Sequence, residues 1–283
     1  MPIETVSIVG VGLIGGSFGL ALRAAGFTGR ILGVSSPRTI EAALARGSID
    51  EGRPLDQAAG QSDLIYLSQP IERILEVIPV VSRLAPSGAL VTDAGSTKRR
   101  IVEQAHDSFT SGALFLGGHP MAGKEQRGAE RAEAHLFRDA TYVLTPLEGQ
   151  LPTAPIVDEF VSWIRKIGAR PVVLPAAAHD RIVGWTSHLP QIVATALASS
   201  VAENVSDQNS LQVAGPGLRD MTRLAESPYD VWKDILATNS ANITQALDHY
   251  IEKLTELRNE LPGTRISEEF EAARQLRRKL HPD

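Results

Sequence analysis

The chain has 283 residues, 43% of them hydrophobic and 22% charged, with a formal net charge of -5 and no cysteine. These proportions exclude a disordered or fibrous class, and the acidic balance gives no general pull toward nucleic acid or an anionic membrane. Without cysteine there are no disulfides, no thiolate nucleophile and no Cys-ligated zinc; a metal centre is not expected, and a reducing, cytoplasmic setting is.

Residues 5–9 (TVSIV) form a β-prone run closed by glycines, and residues 17–25 read as a small-residue helix. A second strand is predicted at 30–34, a helix at 39–46, a third strand at 64–68 and a helix at 74–84. Further strands are predicted at 89–93, 114–117, 141–145 and 171–174, with a helix at 157–166 before the last. This alternation predicts an α/β fold, a doubly wound Rossmann-type sheet, mainly parallel, over residues 1–175. From residue 176 the β-prone runs cease, so residues 176–283 read as an all-α C-terminal domain.

In that second half Leu236, Ile243, Tyr250 and Leu257 repeat every seven residues, with Leu247, Leu254 and Leu261 at the second heptad position. The spacing predicts a long helix in need of a partner, either the core of its own domain or a second copy, and a homodimer through the helical domain is expected. Residues 266–283 read as a charged amphipathic helix. No run approaches the roughly 18 apolar residues of a spanning helix, and Met1–Glu4 lacks the basic stretch of a signal peptide, so neither membrane insertion nor export is expected.

Gly10, Gly12 and Gly15 spell GxGxxG directly after a strand and before a helix, the context a dinucleotide fingerprint requires. The first glycine allows the tight turn, the second lets the backbone approach the pyrophosphate, and the third permits close helix–strand packing. Leu13 and Ile14 open the helix whose N-terminus faces the phosphates. About 20 residues past the third glycine, where a site that prefers NAD carries an acidic residue, the chain has Ser35, followed by Ser36 and Arg38. Hydroxyls and a guanidinium there favour NADP over NAD.

Polar residues concentrate in three further segments. Two fall at predicted strand ends, where ligands of such sheets sit: Asp93-Ala94-Gly95-Ser96-Thr97-Lys98, and Gly117 through Glu125, which contains His119-Pro120-Met121-Ala122-Gly123. The third, Gly215 through Arg223, lies in the helical half and sets Arg219 and Arg223 four apart, a spacing that suits a carboxylate clamp on one helix face. Lys98 and Lys124 read as solvated charges.

With Ser187-His188-Leu189-Pro190, these segments resemble the DxGSxK, GxHPxAGxE, SHLP and RDxTR motifs of the prephenate/arogenate dehydrogenase family, in that order and over most of the chain. The resemblance implies an NAD(P)-dependent oxidative decarboxylation of a cyclohexadienyl acid on the way to tyrosine. It implies that His119 takes the proton of the ring hydroxyl as hydride leaves, and that Ser96 shares that hydroxyl and orients the histidine. It implies further that Arg223 grips a substrate carboxylate, with Arg219 as a companion, that Glu125 stands near the pocket mouth or else in a surface salt bridge, and that His188 either contacts the substrate or packs.

Several of these residues also suit simpler tasks. Ser96 suits a cap on the following helix, Arg219 a surface partner for Asp220, and Trp232 either a pocket wall or a core. Many prephenate-using relatives follow SHLP with histidine, whereas this chain has Gln191. A neutral side chain offers no partner to the ammonium of arogenate, so prephenate is the expected substrate and arogenate the alternative. A 3-hydroxyacid dehydrogenase with a helical second domain is a rival, but it would be expected to carry a catalytic lysine there, and between residues 176 and 236 the chain offers Lys233, outside the arginine-bearing segment. A non-catalytic dinucleotide-binding module is a second rival, against which stand Ser96, His119 and Arg223.

Overall fold

Five consecutive buried residues form β1 (Thr5–Val9), the strand on which the sheet is built. The computed structural model describes residues 2–110, 112–123, 128–205, 211–261, 263 and 265–280. Seven more strands follow in the chain: β2 (Arg30–Val34), β3 (Glu51–Gly52), β4 (Leu64–Leu67), β5 (Leu90–Asp93), β6 (Leu114–Pro120), β7 (Thr141–Pro146) and β8 (Arg170–Val173). They make one sheet in the order β3-β2-β1-β4-β5-β6-β7-β8, in which β6 and β7 pair antiparallel and every other pair is parallel. The order reverses between β1 and β4, which places a crevice at the carboxyl ends of those two strands.

A sheet of this kind is covered on both faces, and its strands show it. Along β4, Leu64 and Tyr66 enter one apolar cluster with Phe18, Leu22, Phe137 and Phe160, while Ile65 and Leu67 enter a second with Ile74, Ile78, Ile101 and Ala105. The first face is therefore packed by α1 (Leu13–Ala24) and α6 (Pro155–Lys166), the second by α4 (Ile71–Leu84) and α5 (Arg99–Ser108). The two-residue β3 and the short α3 (Leu55–Ala59) were not expected from the sequence, since neither is long enough to show a period. The helix α2 (Pro37–Arg46) completes this half.

The strand β8 ends at Val173 and the chain is helical from Ala176 onward. The helix α7 (Ala176–Val183) runs through a π-helical turn, Gly184–His188, into α8 (Leu189–Asn204). Pro190 explains the turn: it has no N–H to bond back, and the wider turn absorbs its ring. Then come α9 (Pro216–Thr222), a 3-10 turn (Arg223–Glu226), α10 (Tyr229–Thr238), α11 (Ser240–Glu260) and α12 (Ile266–Leu280). Among the described residues no helix is long and apolar enough to cross a membrane.

The heptad run is not one helix. Leu236 belongs to α10, which ends at Asn239 (φ -124°, ψ 20°), and α11 starts afresh at Ser240. Asn239 breaks the run because its side chain is committed to Asp180 and to His188. The start of α11 packs inward through Ile243 and Ala246, whereas Ile251, Leu254 and Leu261 stand exposed.

Helix α10 docks the helical half onto the sheet half. Ile235 joins the second apolar cluster, the backbone N–H of Glu72 donates to Asp234 (3.1 Å), and the hydroxyls of Thr97 and Thr238 are 2.7 Å apart. These contacts fix the cleft in which both halves meet.

Candidate active site

At the end of β1 the chain turns at Gly10 with φ +96°, and a Cβ there would lie 2.7 Å from the Ser68 carbonyl oxygen. At Gly15 a Cβ would fall 2.3 Å from the Gly10 carbonyl oxygen, so any side chain would push α1 off the strand. Gly12, the N-cap of α1, faces open space: nothing lies within 4 Å of the position a Cβ would take. Two glycines forced by crowding and one facing a void are what a backbone cradle for a pyrophosphate needs. Leu13 and Ile14 form the first turn of α1, half-buried, with Ile14 in the cleft wall.

The cleft holds about 290 Å³. Ile14, Gln69 and Ser96 line it from the sheet side, and Asp230, Val231 and Asp234 from α10. Gln69 leaves its buried side-chain oxygen without a hydrogen-bond partner, an acceptor facing the space beside the glycine turn. At the end of β2, Ser35, Ser36 and Arg38 are exposed. Ser36 also caps α2, accepting from the Thr39 N–H at 3.4 Å. These residues fit a nicotinamide dinucleotide laid across the strand ends.

Beneath the strand ends lies an ion pair. Lys98 and Asp93, both at 0% side-chain exposure, are in contact, and the Lys98 ammonium also donates to the Gly118 carbonyl at 2.7 Å. Asp93 accepts from the N–H groups of Gly95 (2.8 Å) and Gly118 (3.1 Å). The expectation that Lys98 is solvated is thus corrected: the strand ends leave a buried carboxylate, and the lysine neutralises it. Its burial pushes the ammonium's pKa down, and Asp93 opposes the shift. Ser96 is not the cap of α5 either. That cap comes from Asp180, 82 positions away, whose carboxylate accepts from the N–H groups of Lys98 (2.7 Å) and Arg99 (2.9 Å).

His119 stands near the end of β6 and is joined to the helical half. Its Nδ1 lies 2.8 Å from Nε2 of His179, and Nδ1 of His179 lies 2.8 Å from Oδ1 of Asp180. Burial above all, with further lowering from His179, Lys98 and His188 nearby, holds the His119 pKa well below 6.5. Its neutral form is therefore the resident one, as a base requires. His188, at 1% exposure, shares the Asn239 amide at 3.0 Å and meets the Trp232 ring edge-on at 5.9 Å. Burial lowers its pKa to about 4.

Gln191 is 5% exposed, and its amide donates to the Leu224 carbonyl at 2.9 Å. That bond ties α8 to the 3-10 turn that Arg223 opens. Arg219 and Arg223 do not share a continuous α-helix, because α9 ends at Thr222; both are exposed. Among the described residues Arg219 takes no part in the His119 network. Glu125 and Lys124 lie outside the described residues. His179 and Asp180 went unnoticed in the sequence, where AAAHDR carries no spacing that marks a site; only the fold sets them behind His119.

A reversing strand order, a glycine turn at its switch point, and a neutral histidine facing a helical half define a dinucleotide-dependent dehydrogenase of two parts. Within that class the chain belongs to the prephenate dehydrogenase family. Residues 18–173 match the family's "Prephenate dehydrogenase, nucleotide-binding domain", and residues 175–276 its "Prephenate dehydrogenase, dimerization domain". The prephenate dehydrogenase of Bacillus subtilis (strain 168) is 34% identical over 263 residues, 90% of this chain and 69% of that protein. The crystal structure of prephenate dehydrogenase from Aquifex aeolicus with hydroxyphenyl propionate and NAD+ superposes with a TM-score of 0.85 at 31% identity, covering 99% of this chain and 98% of that one. Synechocystis arogenate dehydrogenase gives a TM-score of 0.78 at 30% identity, covering 97% and 96%.

Proposed function

We propose that this protein oxidises and decarboxylates prephenate to 4-hydroxyphenylpyruvate with NADP as the favoured dinucleotide. Residues 1–175 hold the dinucleotide; residues 176–283 contribute substrate contacts and the surface of a homodimer. The reaction is placed in the cytoplasm. The single observation that carries the reading is His119, neutral by burial near the end of β6 and joined there to His179 of the helical half.

The dinucleotide, held by Gly10, Gly12, Gly15, Leu13 and Ile14, supplies an oxidised nicotinamide as hydride acceptor. Nε2 of His119 takes the proton of the ring hydroxyl as hydride leaves the same carbon, and the Ser96 hydroxyl holds the substrate oxygen in line. Loss of the ring carboxylate as carbon dioxide leaves its electron pair in the ring, which becomes aromatic with its oxygen as phenolate. His119 returns the proton to that oxygen, so no net proton is released. Arg223 binds a substrate carboxylate, and His188 and Trp232 border the ring.

Gln191 is neutral and its amide is engaged by Leu224, so it offers no charge to an ammonium; this favours prephenate. Asp230 in the cleft wall favours the second reading, arogenate, because a carboxylate there would partner the amino group. The absence of a carboxylate at Ser35 and the nearness of Arg38 favour NADP. A two-by-two assay of prephenate and arogenate against NADP and NAD tests all of this: kcat/KM is expected to be highest for prephenate with NADP. Turnover of neither acid would overturn the reading.

A further inference from the structure

The inference that follows rests on His119 as the base. Three side chains form one line: His119 Nδ1 to His179 Nε2 at 2.8 Å, and His179 Nδ1 to Asp180 Oδ1 at 2.8 Å. His179 and Asp180 are each 1% exposed, so water does not substitute for either partner. Asp180 is fixed in turn by the backbone N–H groups of Lys98 and Arg99 at the start of α5. The line crosses from the helical half to the sheet half.

The donors and acceptors along it are determined from one end. An Asp carboxylate only accepts, so Nδ1 of His179 carries a hydrogen. In a neutral His179 the other nitrogen, Nε2, is then a lone pair and accepts. Nδ1 of His119 must be its donor, and Nε2 of His119 is left with a bare lone pair. That is the tautomer able to take a proton from a substrate hydroxyl.

We propose that His179 and Asp180 are positioning residues that fix this tautomer and hold, one ring further from the substrate, the proton the reaction borrows. As the hydroxyl O–H bond breaks and Nε2 of His119 gains its proton, the hydrogen on Nδ1 of His119 passes to Nε2 of His179. The positive charge then sits beside the Asp180 carboxylate rather than on His119, where burial and Lys98 disfavour it. When carbon dioxide has left and the ring oxygen is a phenolate, the oxygen takes the proton from Nε2 of His119, and the hydrogen on His179 returns. Hydride stays with the nicotinamide, and the proton count closes at zero.

The test uses the intact protein, with histidine side chains labelled with ¹⁵N, and three variants. In the wild type, the ¹⁵N shifts are expected to show His119 protonated at Nδ1 and bare at Nε2. His179→Gln keeps an acceptor toward His119 and a donor toward Asp180 but takes up no proton, so it is expected to keep the His119 tautomer and to lose roughly tenfold in kcat; His179→Leu, which has neither hydrogen bond, is expected to lose roughly a hundredfold or more. Asp180→Asn keeps an oxygen toward His179, because that oxygen also accepts from the Lys98 N–H, but removes the carboxylate charge that would hold the relayed proton on His179, and is expected to lower kcat at least as far as His179→Gln does. KM for the substrate and dinucleotide affinity, read by fluorescence quenching, are expected to stay near wild type in the His179 variants.

A wild-type spectrum with His119 protonated at Nε2 overturns the proposal, and so does a His179→Leu protein with undiminished kcat. Should His179→Leu not fold, the wild-type spectrum and His179→Gln still decide. If the wild type turns over neither prephenate nor arogenate, the functional reading has failed, and the ¹⁵N spectrum still decides whether His179 and Asp180 fix the His119 tautomer.

Discussion

Asp93 and Lys98 meet with no side-chain exposure directly under the loop that carries Ser96, and between them they bond to both N–H and C=O of Gly118, the residue before His119. The pair therefore anchors the backbone of two strand ends, β5 and β6, at the site. Removing one partner leaves the other charge buried without compensation. Lys98→Ala is expected to destabilise the fold by about 3–5 kcal/mol, measured by urea unfolding. Replacing both with Asp93→Leu and Lys98→Met is expected to recover only part of this, since Gly95 and Gly118 lose their acceptor. Wild-type stability in Lys98→Ala would refute the anchoring role.

His119→Asn keeps a hydrogen-bonding group of similar size but no basic nitrogen. Turnover is expected to fall by about 10²–10⁴-fold, with dinucleotide affinity essentially unchanged. Stopped-flow absorbance of the reduced nicotinamide reads the first, and fluorescence titration the second. Undiminished hydride transfer would rule out His119 as the base.

Stability is expected to fall with pH on account of buried His188. Its pKa is 6.5 when unfolded and about 4 when folded, lowered chiefly by burial. Above pH 6.5 neither state binds the proton and the fold carries no penalty. Between pH 6.5 and 4 the unfolded chain takes it up and the folded one does not, a loss of roughly 3 kcal/mol in all. His119 adds to the effect with the same sign. Urea midpoints for wild type and His188→Gln at pH 7 and pH 4.5 measure it: the wild type is expected to lose more, and equal losses would show that His188 is not the source.

Cofactor preference is expected to turn on the end of β2. Arg38→Ala should weaken NADP by roughly tenfold and leave NAD unchanged, as loss of one charge-assisted contact to a 2′-phosphate would. Ser35→Asp should favour NAD, because a carboxylate repels that phosphate and accepts from a free 2′-hydroxyl. Affinities read by fluorescence for each dinucleotide decide; unchanged ratios would remove both residues from the site.

The exposed apolar residues of α11 are expected to be covered by a second copy. Ile251 is 51% exposed and Leu254 46%. Glutamate at both positions would bury charge in that interface and should convert a dimer to a monomer in sedimentation velocity. A dimer that survives the double substitution would place the interface elsewhere.

Much of this protein is set by local sequence. β-prone runs and helical patterns, with Gly10, Gly12 and Gly15 between the first of each, define the alternating sheet and the dinucleotide turn, because both follow from backbone sterics and from burial on two faces. Short motifs single out Ser96, His119, His188 and Arg223 as the residues proposed to carry the chemistry. What only the tertiary structure decided is how these groups are supported. The cap of α5 comes from Asp180, the lysine at 98 is buried against Asp93, the apparent heptad run breaks at Asn239, and the ring behind His119 belongs to His179. Each depends on a partner of opposite chemistry brought from a distant stretch of chain to satisfy a group that folding removes from water, and a periodicity read along the sequence carries no record of such pairings.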